Sequence, residues 1–320
     1  MKNQEVLSNN KNNKRKKQIS VFKWILFSVL FIYLAVYISV IVYTLFMSLT
    51  GTFAYREFIG KGEFIYPRPG LLIDPNGTEF ANRTGWFFCN YTRVFSEFKQ
   101  SVVMGDTTYS YDVSWMFSFS IIYSVICAGA YIISSTLVAY ACATFRNAIA
   151  KVLETIVVMV IVFPIIGSTA SEMQVIRELG FYNNFLGMFV LKFGFTNTYF
   201  LLLLSSFKLI PQSFREAAKI DGASELRIML DVMLPVAKNS IGTVFLIQFI
   251  AFWNDYSTPV LYLPAFPTLS FGLAQFSFKS QLEGPIKMGA CLLCAVPIMT
   301  LFVIFNKKLI GNVSAGGVKF

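Results

Sequence analysis

The sequence predicts an all-α membrane protein with six transmembrane helices and both termini in the cytoplasm. Three observations carry this reading. Only 14% of the residues are charged, against about a quarter in soluble domains. The apolar residues gather in six runs, each near the roughly 20 residues that a helix needs to cross a bilayer core of about 30 Å. Lys and Arg concentrate between alternate runs, the pattern of cytoplasmic loops.

Residues 1–22 form a basic cytoplasmic tail with Lys2, Lys11, Lys14, Arg15, Lys16 and Lys17. The first transmembrane helix follows at 23–49. Its apolar run, Trp24 to Thr50, exceeds the about 7–15 residues of a signal-peptide core, and no small-residue cleavage site follows, so it reads as an uncleaved span. Residues 50–114 form an extracytoplasmic loop region with many aromatics: Tyr55, Phe58, Phe64, Tyr66, Trp86, Phe87 and Phe88. It is too apolar for plain disorder. It is either a small external cap that contacts a partner or a loop packed on its own bundle. Asn76, Asn82 and Asn90 open N-x-T triplets, which accept glycans only in a eukaryotic secretory pathway.

Five further spans make up a helical core over 115–305, at about 115–144, 152–170, 185–207, 241–262 and 286–305. With the first tail inside, the inner segments hold Arg146 and Lys151, then Lys208, Arg215, Lys219, Arg227 and Lys238. The short outer loops hold only Arg177 and Lys279. A cytoplasmic tail, 306–320, closes the chain with Lys307, Lys308 and Lys319.

Several function classes drop out. The net charge of +10 is explained by these loops, so it does not point to nucleic acid. The chain has no histidine, which removes His-based metal sites and general bases. Cys291 and Cys294 form a CxxC, but in an apolar run without βαβ context they read as packing residues. No GxxxxGK[ST] occurs; Gly60-Lys61-Gly62 reads as an external turn, so the chain has no P-loop for ATP phosphates. No catalytic cluster and no metal-ligand spacing appears.

The coupling loop, residues 211–239, holds the most informative stretch, EAAKIDGASELRIMLDVMLP, between two apolar runs. Ser213 and Glu216 fit a capping box that starts a helix over about 214–221. Gly222 ends it. Ser224 caps a second helix with Glu225 in its first turn. Leu226, Met229, Leu230 and Met233 then give one apolar face, and Pro235, after Leu234, closes it. One side of this pair is apolar. The other presents Ala217, Ala218 and Ala223 beside Glu216, Lys219 and Asp221. Small residues flanked by charges let a cytoplasmic protein approach the backbone closely; an amphipathic linker between spans shares the same pattern.

Glu216-Ala217-Ala218, then Asp221-Gly222-Ala223, then Leu234-Pro235 resemble the EAA loop of permease subunits of binding-protein-dependent ABC importers. Phe207 and Ile210-Pro211 ahead of it, and Trp253-Asn254-Asp255 after it, resemble the family's neighbouring motifs. So do Pro267-Thr268-Leu269 and Gly272-Leu273. The ending Gly316-Gly317-Val318-Lys319 is similar to that of the carbohydrate branch, specifically the smaller permease of the maltose importer. Asn239 stands where the family often has a second Pro, Met229 where an aromatic is usual, and Phe320 in place of a terminal Gly. The similarity covers about 115–320 and, more weakly, the first span.

The resemblance implies a type I ABC importer permease fold in a bacterial cell membrane, with 211–239 as a coupling helix held in a cleft of an ATP-hydrolysing subunit. It implies a homologous second permease, two cytoplasmic ATP-binding subunits, and an extracytoplasmic solute-binding protein that delivers a sugar or oligosaccharide. ATP and Mg would bind those partner subunits, and this chain would hold no cofactor.

Candidates for the solute path are the ionisable or polar residues in apolar surroundings: Lys192 in the fourth span, and Trp253, Asn254 and Asp255 in the fifth. Lys192 also fits a snorkelling side chain, and the other three fit an interfacial helix end. Tyr123, Tyr131, Phe249 and Phe252 fit either a path or the core. The alternatives are the same machine with a polyamine, phosphate or glycerol-phosphate ester as cargo, an ion-coupled secondary transporter, or a sensory protein whose loop docks a kinase.

Overall fold

In lipid a backbone amide finds no partner but another backbone group, so apolar runs close their own hydrogen bonds as helices. The computed structural model describes residues 2–51, 55, 59, 70–71, 84–85, 88–145, 147–163, 167–194, 196–278 and 284–313. The elements in order are α1 (Lys2–Ser48), β1 (Gly70–Leu71), β2 (Thr84–Gly85), α2 (Cys89–Glu97), β3 (Gln100–Met104), β4 (Thr107–Tyr111), α3 (Val113–Thr144), α4 (Ala148–Val162), α5 (Thr169–Glu178), α6 (Phe185–Lys192), α7 (Thr198–Lys208), α8 (Gln212–Ile220) and α9 (Glu225–Ile228). A π turn (Met229–Met233), α10 (Leu234–Asn254), α11 (Ser257–Tyr262), α12 (Leu269–Phe278) and α13 (Gly284–Val313) complete the order. They fall into two units, 1–92 with 282–292, and 93–281 with 293–320.

In the first unit, the most apolar stretch of α1, within Lys23–Ser48, has no buried residue. The end of α1 is fastened by Asn90, whose Nδ2 donates to the Ser48 carbonyl at 2.8 Å and to the Thr50 carbonyl at 3.0 Å. Ser48 Oγ and the Tyr91 hydroxyl meet at 2.8 Å. Asn90 is fully buried, so it is not an open glycan acceptor. Asn76 and Asn82, and the Gly316–Lys319 ending, lie outside the described residues. β1 and β2 pair antiparallel, Gly70 with Gly85 and Leu71 with Thr84.

The second unit is built around α3. Among the described residues, four helical runs are long and apolar enough to cross a membrane: Lys23–Ser48, Val113–Thr144, Glu225–Asn254 and Gly284–Phe305. The predicted third and fourth spans are not single helices. α4 ends at Val162, and Phe163 is extended at φ −94°, ψ 96°. Phe163 precedes Pro164, and the residue before a proline is pushed out of the helical region.

The fourth span divides between α6 and α7, and α3 satisfies the exposed backbone there. Ser134 Oγ donates to the Gly194 carbonyl at 2.9 Å. Asn197 Nδ2 donates to Ser135 Oγ at 3.0 Å, while Asn197 Oδ1 accepts the Phe200 amide at 2.9 Å and so caps α7. The predicted fifth span, 241–262, begins earlier and ends sooner: its helical run continues from Glu225 and stops at Asn254.

Two apolar cores lie along α3. At its C-terminal end, Tyr140, Phe200, Leu203, Phe207, Ile228 and Met233 pack together, with Tyr140 edge-on to Phe207 at 5.8 Å between ring centroids. Lys208 Nζ pairs with Glu154 at 2.8 Å beside it. Nearer its N-terminal end, Tyr123, Cys127, Ile176, Met188, Tyr262 and Leu263 form the second core. α12 crosses close to α3 at Gly272, where a Cβ would run into the Met116 thioether. β3 and β4 form a hairpin ahead of α3, from Gln100 opposite Tyr111 to Met104 opposite Thr107. So residues 50–114, predicted as loop, hold short strands and α2.

Candidate coupling and transport sites

The stretch predicted to couple to a partner folds as two helices about a sharp elbow. α8 ends at Ile220. Gly222 takes φ +78°, a left-handed conformation that glycine adopts without steric cost. The Gly222 amide donates to the Lys219 carbonyl and the Ala223 amide to the Ala218 carbonyl, each at 3.0 Å. Together these bonds make the Schellman pattern that consumes the last carbonyls of a helix. Ser224 then caps α9 as predicted, its side chain accepting the Arg227 amide.

Four local expectations need correction. Ser213 does not cap α8. The helix begins earlier, at Gln212, because the Pro211 carbonyl already accepts the Phe214 amide at 3.2 Å. Glu216 therefore has no cap to close. Pro235 does not end the second helix: the chain continues into α10. The π turn at Met229–Met233 widens the helix just where the proline ring would meet the carbonyl four residues before it. That turn also inserts a residue into the helical period. The inward face is therefore Ile228, Met233 and Ala237 with Met229 beside them, and Leu226 and Leu230 stand exposed. Finally, the three alanines do not share one outward face. Ala218 and Ala223 lean on the core, and Ala217 is exposed.

The outward surface of the elbow is Glu216, Ala217, Lys219, Ile220, Asp221 and Gly222. Ile220 is 87% exposed. Leu234 packs on the core behind it. Among the described residues neither Glu216 nor Asp221 makes an ion pair, whereas Glu225 makes two. Arg215 Nη2 lies 2.9 Å from Glu225 Oε1, and Lys219 Nζ lies 2.6 Å from the same oxygen. The Arg215 guanidinium also sits 5.4 Å from the centroid of the Phe145 ring. Arg227 and Asp231 pair at 3.2 Å on the exposed flank. Sequence reasoning missed the roles of Arg215, Glu225 and Phe145. Charges of opposite sign on the two sides of Gly222 were the available signal, and nothing local pointed to Phe145.

The structure divides the four solute-path candidates. Asp255 serves the fold: its Oδ2 accepts the Tyr123 hydroxyl at 2.9 Å, and its Oδ1 accepts Ser257 Oγ and the Thr258 amide, both at 3.0 Å, at the start of α11. Lys192, the last residue of α6, places its ammonium 5.6 Å from the Phe252 ring centroid, a cation–π arrangement. The Asn254 side chain is exposed and donates back to the Ile250 carbonyl at 3.0 Å. Trp253 is only 2% exposed and stacks on Phe249 at 6.1 Å. It lines a cavity of about 1030 Å³ with Phe117, Ser118, Phe249, Asp112 and, from α13, Pro297. The wall is largely aromatic and aliphatic, with polar groups from the first turns of α3. Among the described residues no cluster of His, Cys, Asp or Glu has the makings of a metal site.

No protein-family model matches the chain. Its relatives are consistent with one another. It is 24% identical over 192 residues to the sulfoquinovosyl glycerol transport system permease SmoH of Agrobacterium fabrum, covering 59% of this chain and 67% of that protein. It is 26% identical over 189 residues to the trehalose/maltose transport system permease MalG of Thermococcus litoralis, covering 58% of this chain and 68% of that one. A solved bacterial ABC transporter that imports the polysaccharide alginate has a chain of the same fold, at a TM-score of 0.66 and 20% identity, covering 90% of this chain and 96% of that one.

The chain is an ABC importer permease. It lies in the cell membrane as a multi-pass protein, and it is the transport component of its machine. The elbow at Gly222 and the cavity beside Trp253 are thus features of one transport subunit.

Proposed function

We propose that the permease imports a sugar or oligosaccharide, and that the Gly222 elbow couples it to ATP hydrolysis in other subunits. The observation that carries the coupling reading is the elbow itself. A Schellman-closed turn carries an 87% exposed isoleucine, Ile220, between the carboxylates of Glu216 and Asp221, which no described cation pairs. A single exposed apolar side chain is ordinary on a protein surface; this one stands on a turn beside two carboxylates that the described residues leave for a partner to pair.

In this reading the chain crosses the membrane six times, with both termini in the cytoplasm and the third and fourth crossings divided. It pairs with a homologous permease. Two cytoplasmic ATPases hold ATP and Mg, and each permease elbow sits in a cleft of one of them. Closure of the ATPases moves the elbows, and the two spanning halves rock between outward- and inward-open states. An extracytoplasmic binding protein delivers the solute. This chain hydrolyses nothing and binds no cofactor. Glu216, Ala217, Asp221 and Gly222 form the contact surface, and Ala218, Ala223, Leu234 and Pro235 hold its shape.

The cargo reading rests on relatives named for sugar transport. Its test is uptake of labelled oligosaccharides into proteoliposomes that contain the complete importer and its binding protein, with ATP inside. Binding-protein-dependent uptake of an oligosaccharide is expected. Uptake of a glycerol-phosphate ester, polyamine or phosphate, with no response to any sugar, would replace the cargo and leave the machine.

A further inference from the structure

Arg215 touches three separate elements at once. Its backbone belongs to α8, before the elbow. Its guanidinium donates to both carboxylate oxygens of Glu225, after the elbow, at 2.9 Å from Nη2 and 3.4 Å from Nε. The same guanidinium lies 5.4 Å from the ring centroid of Phe145, the residue that ends α3. Only 20% of the Arg215 side chain is exposed. The Arg227–Asp231 pair nearby is 74% and 63% exposed, the kind of surface pair that contributes little. The Glu225 side chain is 43% exposed, so the pair is only half shielded; its two-pronged geometry and the stack on a ring set it apart from the Arg227–Asp231 pair. A cation beside the C-terminus of α3 is favoured by the helix dipole as well.

Among the described residues two helical runs lead from the elbow toward the opposite end of the unit: Glu225–Asn254, which begins on the elbow itself, and α3, which Arg215 meets at its C-terminal end. The 32 residues of α3 extend for about 48 Å at 1.5 Å per residue. The neighbouring α6–α7 pair is divided at 193–197 and does not act as one rod. At its far end α3 holds two other segments. Ser120 Oγ accepts the Leu269 amide at 2.6 Å, and the Tyr123 hydroxyl donates to Asp255. Its first turns, with Ser114, Phe117 and Ser118, and Asp112 just ahead of them, form one wall of the large cavity.

We propose that Arg215 is the positioning residue through which movement of the elbow reaches α3. Glu225 and Lys219 keep the two arms of the elbow as one body, and the stack of Arg215 on Phe145 attaches that body to the end of α3. Displacement of the elbow then shifts the cavity wall along the axis of α3.

This inference rests on the reading of the elbow as the coupling element. The test uses the complete importer in proteoliposomes, with three readouts: co-purification of the ATPase, thermal melting of the complex, and uptake together with binding-protein-stimulated ATP hydrolysis. R215Q is expected to keep ATPase association at the wild-type value, to melt somewhat earlier because Glu225 loses one of its two cationic partners, and to lower coupled uptake roughly five- to thirtyfold, the change that follows from one contact of ordinary strength. R215K keeps the charge and loses the planar fork and ring stack, so its uptake falls as well; it carries the test if R215Q melts too early to assay. Uptake at the wild-type rate in R215Q and R215K overturns the inference. So does loss of ATPase association in both, which makes Arg215 a docking residue. E216K separates the two levels. If E216K leaves association and uptake unchanged, the elbow is not the coupling element. If E216K uncouples and R215Q does not, only the role of Arg215 falls.

Discussion

At Gly222 the backbone sits at φ +78°, a conformation that costs an L residue roughly 1–2 kcal/mol and that proline, locked near −65°, does not reach. Proline also deletes the amide that donates to the Lys219 carbonyl. Gly222→Pro is therefore expected to leave ATP hydrolysis running while transport drops to background, with the complex still assembling in part; full transport by this variant would count against the coupling reading. Glu216 is a charge without a described partner on the outward surface. Glu216→Lys reverses it, and like charges brought together at an interface cost several kcal/mol, more than about tenfold in affinity. Co-purification of the ATPase from cells expressing Glu216→Lys is expected to fall accordingly, and an unchanged yield contradicts the docking role.

At the scale of elements, the permease is fastened by contacts that a stability measurement reads. Gly272 lets α12 cross α3 where a Cβ meets Met116. Gly272→Val overpacks this crossing, at a cost of roughly 1–3 kcal/mol, and is expected to lower the melting temperature in detergent. Tyr123→Phe leaves Asp255 Oδ2 without its hydroxyl donor, at a cost of roughly 1–3 kcal/mol. If Asp255 serves the fold, this variant melts earlier and keeps the KM for uptake; a changed KM with unchanged melting makes Asp255 a solute contact.

The existence of the long helices and the elbow were legible from composition, periodicity and Gly222. The divided fourth span was not, because the bonds that permit it run from Ser134 and Ser135 to residues some 60 positions away. Half of the apolar face read for the second elbow helix holds: Met229 and Met233 meet the core, while Leu226 and Leu230 are exposed and Ile228 is buried instead; the π turn sets the five-residue step from Ile228 to Met233. Trp253, a candidate for the solute path, stands with its ring buried on Phe249. Local sequence does not report such stacking.

At the scale of the whole molecule, the proposed function makes the permease one half of a membrane path and one contact of a larger machine. In the proposed reading α3 connects the Gly222 elbow, through Arg215 and Phe145, to the cavity beside Trp253. That arrangement has a purpose only if other subunits sit at both ends. The measurement that tests this most directly is purification of the full chain from its native membrane in mild detergent, with mass spectrometry of the proteins that accompany it. The account predicts a second permease, a P-loop ATPase and a solute-binding protein. A chain that purifies alone and moves solute across liposomes without ATP would contradict it.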